Sequence, residues 1–251
     1  MTGNLIRLVV LFGVVCASGC LTHSPKTEAA GLPNQQGSSD HSLPTVDCPL
    51  RRAGVDPNHL RPFAEVEKYI AFLDRPDRDA WQRPAEVIAA LGLHGHETIF
   101  DLGAGSGYFS FRFARAVPRG KVIAADTEPE MIRHIHHKAT VEGLSNVKPV
   151  IIKAEDPQVP READLVFVCD VLHHVQDRAR WLKKAVSEMK SGARFVLIEF
   201  KESPLPEGPP ESVKIPRSKL LELADQAGLG LESEQANLLP YQLFLVFRKG
   251  N

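Results

Sequence analysis

From about residue 84 to the C-terminus, apolar positions switch repeatedly between helical and strand-like spacing. Residues 84–93 carry apolar side chains at helical intervals, and Pro84 suits a first turn. Residues 98–102 form a short β-rich run entering a glycine-rich turn, and 108–116 return to helical spacing until Pro118 and Gly120 stop it. The pattern then predicts a strand over 121–126, a helix over 129–143 and a strand over 147–152. Residues 163–168 are a fourth strand, with the unbroken apolar run of a strand buried on both faces. A helix over 179–189 ends at Ser191-Gly192, a fifth strand covers 194–200, a proline-rich loop occupies 203–210, and a last helix covers 217–227. Residues 229–232 and 241–248 close the chain, the latter alternating like a strand near an edge. Strands alternating with helices predict an α/β fold: a doubly wound, mainly parallel sheet with an antiparallel C-terminal strand.

The N-terminus follows a different pattern. Arg7 is the only charge in the first twenty residues, residues 8–15 are apolar, and Ala17-Ser18-Gly19 are small residues before Cys20. This is a signal-peptide layout, and the apolar run is too short to span a bilayer. The stretch ending at Cys20 resembles a bacterial lipobox, with Ala17 where Leu is usual. Cleavage before Cys20 and acylation of its thiol would anchor an exported protein at the periplasmic or cell-surface face of a membrane, or leave it associated with the inner membrane. Ordinary cleavage nearby is the alternative. Residues 21–59, rich in Ser, Pro, Gly, Gln and Asn, read as a disordered tether, and 60–251 as one domain. Once Cys16 and Cys20 are set aside, Cys48 and Cys169 are expected as unpaired thiols. Lys and Arg total 30 against 31 Asp and Glu, so no field favours a nucleic acid, and none is expected as a partner.

The chemistry concentrates at Phe100-Asp-Leu-Gly-Ala-Gly-Ser-Gly-Tyr-Phe109. A strand must turn sharply into a helix here, and Gly103, Gly105 and Gly107 permit positive φ and a close ligand approach. The strand ends in Asp101, just before the glycines. A carboxylate there would repel a pyrophosphate but suits the ammonium of a methionine moiety, which favours S-adenosylmethionine over a nicotinamide dinucleotide. The glycine spacing also departs from the dinucleotide fingerprint. Asp126 closes the second strand, where an acid can accept hydrogen bonds from both ribose hydroxyls.

The segments DLGAGSGYF (101–109), VIAADTEPEM (122–131), DVLHHV (170–175) and KSGARFVLIEF (190–200) resemble, in order, the motifs of class I, Rossmann-like S-adenosylmethionine-dependent methyltransferases. The set is similar to the ubiquinone/menaquinone-biosynthesis type and, more closely, to exported bacterial methyltransferase-domain proteins. The flanking segments FLDRPDRDAWQRP (72–84) and LLPYQLFLVFR (238–248) resemble that group as well. The resemblance implies that Asp101 holds the amino group, that Gly103, Ala104, Gly105 and Gly107 line the methionine, and that Asp126 binds the ribose. Adenine contacts would come from Thr127 or Met131 and from the loop after the third strand. There Lys153 stands where an Asp is common, with Glu155 or Asp156 as substitutes.

Methyl transfer needs a positioned nucleophile and, for oxygen or nitrogen acceptors, sometimes a base. Asp170, His173 and His174 follow the fourth strand at the sheet's carboxyl end and are the catalytic candidates, either His being able to act as a base. Equally, Asp170 could cap the turn and His173 could pack under the methionine moiety. A metal held by His173, His174 and Glu199 lacks a recognised ligand spacing, and no metal is expected. His134, His136 and His137 read as a solvated helix face. Arg75, Asp77, Arg78, Asp79 and Trp81 read either as a lid over the cofactor or as a solvated turn. The expectation is a methyltransferase with an unidentified acceptor, small or lipid-like. The alternative is a non-catalytic exported module that binds a nucleoside-type ligand.

Overall fold

A computed structural model describes residues 49–55, 60–61 and 63–250. The signal segment, Cys20, Cys48 and residues 21–48 of the expected tether lie outside the described residues. Four helices precede the first strand: α1 (Pro49–Arg52), α2 (Phe63–Leu73), α3 (Arg78–Gln82) and α4 (Pro84–Ala90). Then follow β1 (Thr98–Leu102), α5 (Ser110–Ala116), β2 (Lys121–Asp126), α6 (Pro129–Val141), β3 (Val147–Ile151) and β4 (Leu165–Cys169). The chain ends with α7 (Arg178–Glu188), β5 (Arg194–Phe200), α8 (Arg217–Gln226), β6 (Leu229–Glu234) and β7 (Gln242–Lys249).

These seven strands form one sheet in the order β3-β2-β1-β4-β5-β7-β6. β1 to β5 are parallel, whereas β7 runs antiparallel to β5 and β6 antiparallel to β7. Strand order reverses between β1 and β4. Loops at the carboxyl ends of strands part at such a point and leave a crevice for ligands.

The unbroken apolar strands follow from burial on both faces. Val166 and Val168 of β4 point into a core layer with Trp181, Leu182 and Leu220 from α7 and α8. Leu165 and Phe167 of the same strand point the other way, into a layer with Val87, Phe109 and Phe113. Successive strand residues face opposite sides, so a strand between two helical layers must be apolar at every position.

The C-terminal strand is near an edge as expected: β7 lies between β5 and the edge strand β6, on which Leu231 is exposed. Gln242, which opens β7, is polar but buried. Two expectations change. The tether ends earlier than residue 59, since α1 already carries a buried Leu50. The first crossover helix starts at Ser110 rather than Tyr108, because Gly103, Gly105 and Gly107 all take positive φ and extend the turn.

Phe167 is fully buried, with its ring 4.7 Å from Phe109 and 4.8 Å from Phe113. Phe167→Ala is expected to lower the unfolding free energy by about 3–5 kcal/mol in chemical denaturation, the cost of a large cavity between sheet and helix. A loss below about 1 kcal/mol would show that this layer collapses freely around the gap.

Candidate active site

The end of β1 is bound to the end of β2 through the glycine turn. Gly103 and Ala104 both donate their N–H to the Ala125 carbonyl, at 2.8 and 2.9 Å. Gly105 donates to Asp126 Oδ2 at 2.7 Å, and the Glu128 N–H donates to Oδ1 at 3.0 Å. Gly103 has φ of 83°, and a Cβ there would meet Val171 Cγ2 at 2.3 Å, so glycine is required both by conformation and by contact with the segment after β4. Gly107 has a different reason: its Cβ would meet the Phe111 ring at 2.6 Å, which is packing against α5 rather than ligand approach.

Asp101 and Asp126 therefore sit side by side at two strand ends, both buried. Asp101 accepts a hydrogen bond from Ser110 Oγ and forms no ion pair among the described residues. Burial, reinforced by the Asp126 charge, pushes its carboxyl up to about 7 despite Ser110 and a nearby Arg78. Burial also raises Asp126, against three backbone N–H groups that favour its charged form. Each carboxylate retains acceptor capacity, since two oxygens offer about four lone-pair sites.

The segment from α2 to α3 covers this pair. Val66 and Ile70 of α2 are buried against Met131, and Leu73 Cδ1 lies 3.5 Å from where a Gly105 Cβ would stand. Ser106 Oγ donates to Asp74, Tyr108 Oη donates to Asp79, and Arg112 pairs with Asp79 at 2.9 Å. The Arg78 guanidinium stacks over the Tyr108 ring at 3.9 Å and donates to the Leu73 carbonyl at 2.8 Å. Asp74, Arg78 and Asp79 are thus joined to the glycine turn, whereas Arg75 pairs with Glu207 and the exposed Asp77.

On the other side of the crevice, Asp170 follows β4 with φ of 59°, in the left-handed region. It does not cap the turn. Gln242 Nε2 donates to both of its oxygens, at 2.7 and 2.8 Å, and Gln82 Nε2 donates to Gln242 Oε1 at 2.7 Å. The turn is capped by Glu199 of β5, whose Oε1 accepts from the Leu172 N–H at 2.6 Å and the His173 N–H at 3.3 Å. Glu199 Oε2 also meets His173 Nδ1 at 2.8 Å, inside the protein. That contact directs the Nδ1 proton to the carboxylate and leaves Nε2 as the basic position. Burial alone would lower the His173 pKa, but the Glu199 carboxylate and Asp170 hold it above its ordinary value. Asp170 itself is pushed up to about 6 by burial and the Glu199 charge. His174 is exposed, and its pKa is lowered by partial burial and the neighbouring His173.

The remaining sequence candidates divide. Met131 lies under the cover, whereas Thr127 is exposed. Asp156 pairs with Lys184 at 2.8 Å, and Glu155 is exposed, so neither is joined to the Asp126 turn. His134 and His136 are not on a solvated face: both are partly buried, and only His137 of the three is exposed, because α6 packs under the covering segment as well as on the sheet. Cys169 is a free, partly buried thiol, raised well above its ordinary pKa by burial. Glu199, Gln82 and Gln242 are the functional side chains the motif reading left without these roles. A buried acid, or a lone Gln in an apolar strand, was the available signal.

Comparison with known proteins agrees with this arrangement. Residues 93–228 match a family model described as a methyltransferase domain, more than half of the chain, and the chain belongs to that family. It is 29% identical over 123 residues to the ubiquinone/menaquinone biosynthesis C-methyltransferase UbiE of Proteus mirabilis, covering 48% of each chain. It is 33% identical over 123 residues to the protein of that name from Pasteurella multocida, covering 48% of this chain and 45% of the other. The chain thus spans about half the length of these relatives. A solved SAM-dependent methyltransferase from Aquifex aeolicus shares the fold, with a TM-score of 0.67 and 23% identity over 72% of this chain and 96% of that one. The [4+2]-cyclase SpnF also shares it, with a TM-score of 0.58 and 16% identity over 67% of this chain and 80% of that one. Fold and family together make S-adenosylmethionine the cofactor, and the unpaired, buried Asp101 fits its cationic end.

Because the folded pKa of Asp101 lies above its unfolded value, its proton favours the folded state fully below pH 3.8, and that contribution is lost as pH rises through about 7. Asp101→Asn is therefore expected to raise the melting temperature of the ligand-free protein slightly at pH 5 and more at pH 8. Equal effects at the two pH values would show that the carboxylate is not strained by burial.

Proposed function

We propose that this chain transfers a methyl group from S-adenosylmethionine to a small or lipid-like acceptor, and that it does so at the crevice between β1 and β4. The observation that carries this reading is Asp101, a buried carboxylate beside Asp126 with no ion-pair partner among the described residues. Removing a carboxylate from water without a counter-charge is costly, and the cost is recovered when a cationic ligand arrives. When bound, S-adenosylmethionine supplies an electrophilic methyl group on a sulfonium centre.

The chain's own residues divide the remaining work. Asp101 holds the α-ammonium and Asp126 accepts from the ribose hydroxyls, while Gly103, Ala104 and Gly105 keep the turn flat against the methionine. The covering segment from α2 to α3 excludes water, which strengthens each of these polar contacts. His173 takes a proton from the acceptor at Nε2, with Glu199 as the positioning residue that fixes its tautomer and compensates the imidazolium. Asp170, held by Gln242 and Gln82, presents a second carboxylate to the crevice. The SpnF fold match is a reason to test the cofactor directly, because one fold can host different reactions.

Calorimetric titration of the full chain with S-adenosylmethionine tests the proposal. Micromolar binding is expected, with Asp101→Ala and Asp126→Ala each abolishing it while leaving a cooperative unfolding transition. Absence of binding by folded wild-type protein would contradict the methyltransferase reading and leave a module whose ligand is something else.

A further inference from the structure

Trp81 stands at the end of α3, against the last residue of β5 and the start of β7. Its indole is buried, yet its Nε1–H has no hydrogen-bond partner. The chain's other tryptophan, Trp181, donates from Nε1 to the Ala154 carbonyl at 3.1 Å, so the two indoles differ. A buried donor left unpaired is destabilising, and such a group calls for a ligand or another reason.

Its surroundings narrow the ligand. Phe200 lies 5.9 Å and Tyr241 6.2 Å from the indole, ring centre to ring centre. The Arg75 guanidinium lies 5.5 Å over the Trp81 ring and 4.8 Å over Phe72, which is exposed. Arg75 is already paired with Glu207 and Asp77, so this wall does not offer an unpaired cation to a carboxylate or a phosphate. What it offers is apolar ring surface and one neutral N–H. The next residue, Gln82, is bonded through Gln242 to Asp170, which places Trp81 at the same end of the sheet as Asp170 and His173.

We propose that Trp81 anchors the methyl acceptor: its indole N–H donates a hydrogen bond to an oxygen of an uncharged molecule whose flat apolar body lies against Phe200 and Tyr241. The proposal rests on the methyltransferase reading and names the class of substrate for that site. Loop 203–210 covers this wall. Gly208 has φ of 113°, and a Cβ there would meet the Phe200 ring at 2.6 Å, so the loop backbone lies directly on that ring. Glu207 of the same loop holds Arg75. Entry of the acceptor therefore requires the loop to lift, and the Arg75–Glu207 pair is the contact that releases it.

The test is calorimetric titration of the full chain, saturated with S-adenosylhomocysteine, using three probes of one shape: naphthol, naphthalene and naphthoate. Naphthol is expected to bind, with naphthalene and naphthoate roughly tenfold weaker or worse. Trp81→Phe removes the N–H together with part of the ring surface, and naphthalene, which carries no oxygen, controls for the lost ring contact. The variant should weaken naphthol roughly five- to tenfold more than it weakens naphthalene while leaving S-adenosylhomocysteine affinity unchanged. Failure of naphthol to bind a protein that binds S-adenosylhomocysteine would overturn the proposal alone. So would a Trp81→Phe protein that binds naphthol as wild type does, or one whose melting temperature falls with an equal loss for all probes. Failure to bind S-adenosylhomocysteine would overturn the methyltransferase reading and this proposal with it.

Discussion

Asp101 and Asp126 are taken out of water by folding, and neither forms an ion pair among the described residues. Burial raises both, so the ligand-free site holds charged carboxylates less readily than water does. The fold tolerates this because the Ala125 carbonyl and the Asp126 carboxylate bind the backbone of the glycine turn, fixing two strand ends together. Most of the remaining architecture serves that junction: parallel strands place the acids at one edge, and the segment from α2 to α3 closes over them.

The crevice is asymmetric. On the β2 side the acids are held mainly by backbone N–H groups and one serine, leaving them free to meet a cation and hydroxyls. On the β4 and β5 side the polar groups bind one another, in a chain from Gln82 through Gln242 to Asp170 and in the Glu199–His173 pair. Such networks are rigid when satisfied, which suits the proton-accepting role proposed for His173. The β2 side keeps free acceptor capacity, whereas the polar groups of the β4 and β5 side satisfy one another. Trp81 is the exception on the second side, with its one unmatched donor.

Much of this was legible in the sequence, for a physical reason. The order of the first five strands along the chain, the glycine turn and the two buried acids beside it depend on local pattern and on nearby residues, where spacing alone constrains geometry. The parts that were not legible depend on long-range contact. Gln82 and Gln242 are 160 residues apart, Glu199 and His173 meet across two strands, and nothing local marks Glu199 as the cap of the turn. Nothing in the near-edge alternation of β7 marks Gln242 as buried, because its partners Gln82 and Asp170 come from distant parts of the chain. The histidines of α6 read as solvated because the helix carries a second packing face that the pattern of the helix alone does not reveal.

Proton release on cofactor binding tests the central claim most directly. Calorimetry at pH 6.5 in buffers of different ionisation enthalpy counts the protons exchanged when S-adenosylmethionine binds. If the ammonium group completes a buried, largely protonated Asp101, binding lowers that pKa and releases a substantial fraction of a proton, which Asp101→Asn does not release. Binding enthalpies that are independent of buffer in the wild-type protein would show that Asp101 is already charged before the ligand arrives, and would contradict the account.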